Sequence, residues 1–295
     1  MGRAVLNMIS LLVLVCAPLL QSVAQQRERS ESAADIAQSV AGSGTSFEKT
    51  KKLVTWINTS FQWTATDYQQ RTPQEIIQRR GGNCAELASV LEVLLREAHI
   101  RYRWIAEINV QPASESRQHN SERRITAVGN RASVFGFMHN DHRWLEVHDD
   151  SKSEWFPADP AVGVVGIQEW VLARLGIGER PTPSVSAVAD IVKDMLVPFV
   201  VVAMDSRNGK QLEDRSDFYL IDGFNKTYKG RLSSLQAWPT WTAAVHRLSP
   251  KGRLAFAGEM NLHQDEAEIK DILATYQELR QEALRAGIAR GEDLK

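Results

Sequence analysis

Apolar residues recur along this chain at two periods, and each change of period marks a new element. From Phe47 to Trp63 the apolar positions Phe47, Leu53, Val54, Trp56, Ile57 and Phe61 predict a helix packed on one side. Thr72-Pro73 predicts a second, short helix ending near Arg79, because threonine caps well and proline fits the first helical position. The clearest stripe is Leu87, Ala88, Leu91, Leu94 and Leu95, which follows the polar turn Arg80-Gly81-Gly82-Asn83. Asn83 is a favoured N-cap and Glu86 stands three positions later, where a capping box places an acid. A buried helix should therefore start at Cys84 and run to about Arg96.

The period then falls to two. Arg101 to Val110 places Tyr102, Trp104, Ala106, Ile108 and Val110 on one strand face. From His142 the alternation puts His142, Trp144, Glu146 and His148 on one face and Leu145 and Val147 on the other. Trp155 to Asp159 reads as a short strand ended by Pro160. Further on, Ile167 to Leu175 is predicted helical, Met195 to Met204 a buried strand and Asp217 to Phe224 another strand. Leu232 to Leu248 suggests a short helix or packed loop, and Gln264 to about Ala289 a long helix striped by Ile269, Ile272, Leu273, Tyr276, Leu279, Ala283 and Leu284.

Polar stretches separate these elements. Gln25 to Thr45 reads as a mobile lead-in, Gln111 to Gly129 as an exposed loop or insertion, and Gly176 to Ser186 as a linker. The N-terminus carries Arg3, an apolar run from Ala4 to Leu20, and Ser22-Val23-Ala24, the pattern of a signal peptide cleaved after Ala24. That run is short of the roughly 20 apolar residues that span a bilayer. Val15 before Cys16 is poor for lipid attachment. The expected organisation is a signal peptide at 1–24, the lead-in at 25–45, a catalytic core at 46–175 and a C-terminal extension packed on it at 187–295. A secreted or periplasmic protein follows, with no membrane span after cleavage.

Composition narrows the function classes. The chain has 295 residues and a formal net charge of -1, which gives no reason to expect a nucleic acid as partner. It has two cysteines, so loss of the signal leaves Cys84 alone and unable to form an internal disulfide. A thiol at a helix N-terminus faces unpaired N–H groups and the positive end of the helix dipole, which favour the thiolate. The competing reading is a small core side chain, since free cysteine is commonly buried. His139, His142 and His148 with Cys84 could in principle hold a metal, but their spacing does not match zinc sites, and neither metal nor cofactor is expected. Asp159 before Pro160 could equally be a plain turn former.

Taken in order, a cysteine starting a core helix, a histidine in a strand and an acid at a strand end suit a nucleophile, a base and a residue that orients it. The blocks around them, Gly-Gly-Asn-Cys-Ala-Glu, His-x-Trp-x-Glu-Val and Trp-Phe-Pro-Ala-Asp-Pro, resemble the three blocks of the transglutaminase-like superfamily across about Phe47 to Val164. The resemblance implies an α+β, papain-related core with the cysteine helix packed on an antiparallel sheet, followed by a C-terminal α/β extension ending in a long helix. It implies Cys84 as nucleophile, His142 as base and then acid, and Asp159 as the group fixing the imidazole. Asn83, Trp144 and Glu146 would support the site or its wall. The expected reaction is acyl transfer from an amide of a protein or peptide through a thioester, to water or to an amine. The alternative is a non-catalytic binding module that keeps the fold. Arg143 departs from the small residue the family has after this histidine.

Overall fold

A computed structural model describes residues 32–64, 69–110, 139–177, 197–260 and 262–288. The signal peptide, the Gln111 to Gly129 insertion and most of the Gly176 to Ser186 linker lie outside the described residues.

Local capping sets the helices of the N-terminal half. Helices α1 (Ala33–Ala41), α2 (Ser46–Ser60), α3 (Pro73–Arg79) and α4 (Cys84–Glu97) each begin with a reciprocal capping box, on Ser32/Asp35, Thr45/Glu48, Thr72/Glu75 and Asn83/Glu86. Each box satisfies two N–H groups that the helix geometry leaves without partners. Helices α1, α2 and α3 all pack on α4. Helix α1 corrects an expectation, because it falls inside the stretch read as a mobile polar lead-in. Its Ile36, Ala37 and Ala41 are buried, so a stripe of only a few apolar residues suffices once α4 offers a surface to cover.

Two short strands, β1 (Gln62–Trp63) and β2 (Gly81–Gly82), pair in parallel and bring the glycine turn up to α4. The main sheet has six strands: β3 (Tyr102–Val110), β4 (His139–Asp149), β5 (Glu154–Asp159), β6 (Val164–Val165), β7 (Val197–Met204) and β8 (Gln211–Asp214). Their spatial order is β6-β5-β4-β3-β7-β8, and every pairing is antiparallel. Strand β7 therefore enters the sheet beside β3, and the C-terminal region shares backbone hydrogen bonds with the first half of the chain rather than only leaning on it. Helix α5 (Ile167–Leu175) follows β6.

After β8 the chain departs from expectation. Asp217 to Phe224 is not a strand: Asp217–Asp222 winds as a wide helical turn that continues into α6 (Gly223–Thr227). β8 already occupies the free side of β7, and the Ser216 N–H donates to Asp214 Oδ1 and turns the chain away. A 3-10 turn at Arg231–Ser234 leads to α7 (Trp238–Phe256), longer than the short helix expected there. Helix α8 (Glu266–Arg285) closes the described chain and packs on α7 and β7. Ile269, Ile272, Tyr276, Leu279 and Ala283 of its predicted stripe are all buried. The fold is α+β.

Candidate active site

The glycine turn and the capping box determine where Cys84 sits. Asn83 Oδ1 accepts the Glu86 N–H at 3.0 Å, Glu86 Oε2 accepts the Asn83 N–H at 3.0 Å, and Arg71 Nη1 donates to Glu86 Oε1 at 2.9 Å. Glu86 is buried, so this box is tied into the core and not only into its own helix. Gly82 allows the close approach, because a Cβ there would stand 2.8 Å from Glu86 Cβ. Cys84 is half-buried at the first turn of α4 and has no disulfide.

Across from it, β4 presents His142, which is buried. Its Nε2 is 2.6 Å from Asp159 Oδ2, and the Cys84 thiol stands near enough to its ring to favour the protonated imidazole. With Nε2 taken by the carboxylate, Nδ1 is the ring nitrogen left for sulfur. Asp159 bonds in two directions. Its Oδ1 accepts the N–H groups of Ala161 at 3.1 Å and Val162 at 3.4 Å, as an Asp-Pro turn requires, while its Oδ2 holds the imidazole. Burial is the largest single influence and opposes a charge on His142, while the adjacent Asp159 carboxylate favours it. Arg174 pushes the other way, the Asp159 hydrogen bond and the Cys84 thiol add to the rise, and the imidazole is held up to about 10.

The structure thus brings Cys84, His142 and Asp159 together, and places the three supporting residues around them. Asn83 is the helix cap. Trp144 is buried and stacks on the His142 ring, with centroids 5.4 Å apart and planes 25° apart. Glu146 is buried further along β4, where Arg103 Nε donates to it at 2.7 Å and Arg215 Nε at 3.1 Å. His148 belongs elsewhere: it bonds Asp150 at 2.8 Å and Arg101, six strand positions or about 20 Å from His142. That distance excludes it from a metal set with Cys84; the side chain of His139 lies outside the described residues.

Sequence reasoning missed a second layer of buried charge. In the β3–β4 register Arg103 faces Glu146, Ile105 faces Trp144 and Glu107 faces His142. Glu107 is buried, ion-paired to the equally buried Arg174 of α5, and accepts from Asn109 Nδ2 at 2.7 Å. The apolar row of β3 was legible, and its polar row was left unread. The usable signal was an Arg, a Glu and an Asn at alternate positions of a strand that neighbours the histidine strand.

Residues 34–160 match the family model of the transglutaminase-like superfamily. That segment, somewhat under half of the chain, is similar to the superfamily. The matched segment contains Cys84, His142 and Asp159 and stops before α5 and everything after it. The match supports a cysteine-dependent enzyme in general. No curated protein matches the chain. Among solved structures, a candidate cysteine protease from Cytophaga hutchinsonii is 16% identical and covers 46% of this chain and 39% of its own, with a TM-score of 0.32. A candidate protease from Parabacteroides distasonis is 14% identical over 62% of this chain and 27% of its own, at 0.33. A structure of Rad4-Rad23 bound to a 6-4 photoproduct UV lesion is 14% identical over 93% of this chain and 59% of its own, at 0.34. The chain spans less than two thirds of each of these solved chains. Among the described residues no helix is long and apolar enough to cross a membrane.

Proposed function

We propose that this is an exported cysteine enzyme that transfers acyl groups from amide bonds of a protein or peptide, with water as the usual acceptor. The observation that carries the reading is the juxtaposition of the half-buried Cys84 thiol with the buried His142 ring, which Asp159 holds from its other side. Cys84 Sγ attacks the amide carbonyl and the C–N bond breaks. The sulfur's proton, held on His142, goes to the departing amine, and a thioester remains on Cys84. Water then gives a proton to His142 and attacks the thioester, returning the acid product and the free thiol. Asp159 keeps the ring oriented through both steps.

The capping box uses the N–H groups of Asn83 and Glu86, which leaves those of Cys84 and Ala85 to face a developing oxyanion. One such donor is typically worth about 3 kcal/mol in the transition state. Hydrolysis is favoured over cross-linking because no feature of the described site marks an amine acceptor. Export rests on the N-terminal signal pattern alone.

The first test is iodoacetamide labelling of Cys84 near neutral pH in wild type and His142→Ala. Rapid labelling lost in the variant is expected; equally slow labelling in both points to a binding module instead. Exported proteins incubated with wild type or Cys84→Ala and read by mass spectrometry then identify the reaction. New termini mean hydrolysis of peptide bonds, deamidated glutamine means side-chain hydrolysis, and isopeptide links mean transamidation.

A further inference from the structure

We propose that Tyr219, which lies outside the family-matched segment, is a positioning residue for the reactive imidazole and acts on it through Trp144. The inference rests on the reading of His142 as the acid–base group. The Asp159 hydrogen bond and the neighbouring Cys84 thiol meet the imidazole at its edges, where such contacts restrain tilting only weakly. The stacked indole of Trp144 supplies that restraint.

Trp144 is in turn held from the C-terminal side. Its Nε1–H donates to the Tyr219 hydroxyl at 3.1 Å. The Tyr219 ring meets the indole edge-on at 5.4 Å and 83°, and Trp170 of α5 closes the cluster at 5.2 Å from Trp144 and 4.6 Å from Tyr219. Trp144, Trp170, Tyr219 and Glu146 are all fully buried. An indole N–H can only donate and a carboxylate can only accept, so the hydroxyl between them has one consistent direction. Tyr219 accepts from Trp144, which leaves its own O–H to turn toward the nearby Glu146 carboxylate. Glu146 is anchored by Arg103 on one side and by Arg215, also from the C-terminal region, on the other. Burial and the Glu146 charge both push the Tyr219 phenol well above its ordinary range, so it keeps its proton as donor.

A phenylalanine would fill the same space. What it would lose is the one group that selects a single orientation of the indole over His142. The arrangement also makes the region after residue 160 part of the site's support, since without the turn at Asp217–Asp222 the Trp144 N–H would be buried without this partner.

The test uses the full chain with ring-labelled histidine and the variants Tyr219→Phe, Trp144→Phe and both together. The His142 ring resonance, assigned by its loss in His142→Ala, is shifted by the ring current of the stacked indole. In Tyr219→Phe it should move toward the ordinary histidine position, and Cys84 alkylation should slow about fivefold, the factor that corresponds to one hydrogen bond of about 1 kcal/mol. In the Trp144→Phe background, adding Tyr219→Phe should move neither readout much further. An unmoved His142 resonance in folded Tyr219→Phe overturns the proposal, and so does an equal effect in both backgrounds. Should Tyr219→Phe not fold, Trp144→Phe alone must shift the resonance, and an unmoved signal there refutes it. Alkylation that ignores His142→Ala would sink the acyl-transfer reading, while the resonance would still report on the clamp.

Discussion

Replacing Asp159 by asparagine isolates the interaction on which the site depends. Asparagine keeps an oxygen for the Ala161 and Val162 N–H groups, so the turn after β5 survives. What goes is the carboxylate charge 2.6 Å from His142 Nε2. In the wild type, the folded imidazole is raised from 6.5 to about 10. A difference of about 3.5 units is worth about 5 kcal/mol at 1.36 kcal/mol per unit. The sign follows from proton counts. Below pH 6.5 folded and unfolded chains both hold the proton, and the contribution is complete. Between pH 6.5 and about 10 the folded chain binds more protons than the unfolded one, so stability declines by about 1.4 kcal/mol per unit until the contribution is lost.

In Asp159→Asn the carboxylate no longer opposes burial and Arg174, both of which push the imidazole down. The variant should therefore lack this decline. Urea unfolding from pH 6 to pH 10, in a Cys84→Ser background that removes the thiol's own titration, should find the variant less stable by about 3–5 kcal/mol at pH 6, the usual loss when one partner of a buried pair is removed. The gap should narrow steadily toward pH 10. A gap that stays constant over this range would show that His142 is not held protonated by Asp159.

Three further outcomes follow from the same geometry. Arg174→Met should cost about 3–5 kcal/mol in urea unfolding because it strands the buried Glu107, and Arg174→Met with Glu107→Gln should recover most of that; an additive loss would contradict the pairing. Asn83→Ala should cost about 1 kcal/mol and slow Cys84 alkylation, since it frees the first turn of α4, whereas unchanged alkylation would mean the cap does not position the thiol. Gly252→Ala should destabilise by about 1–3 kcal/mol despite alanine's better helix propensity, because its Cβ would stand 2.4 Å from Val200 Cγ1; adding Val200→Ala should recover only part of that loss, because the Cβ at 200 would still stand 2.9 Å away, and thermal melts of the three proteins decide it.

Several features could be read without coordinates because their causes are local. The capping box at Asn83 and Glu86, the start of α4 at Cys84, the α3 start at Pro73 and the alternation through His142 all depend on residues within a few positions of one another. The order of cysteine, histidine and acid was legible for the same reason, since each sits in its own short block. Helix α1 escaped notice because a weakly apolar segment becomes ordered only when a partner surface exists, and that surface is α4. Asp217 to Phe224 was misread because its apolar run fits either period, and the choice fell to the sheet, whose edge β8 had already filled.

What the sequence by itself determined is how each candidate residue is held within its own element, because capping, alternation and turn formation are short-range effects. Only the tertiary structure decided that β7 joins the sheet beside β3, that Glu107 and Arg174 form a buried pair next to His142, and that Tyr219 meets Trp144. These are contacts between residues 67 and 75 positions apart. Burial turns a polar residue from a solvated surface group into one that must find a partner, and no local pattern records which distant partner it finds.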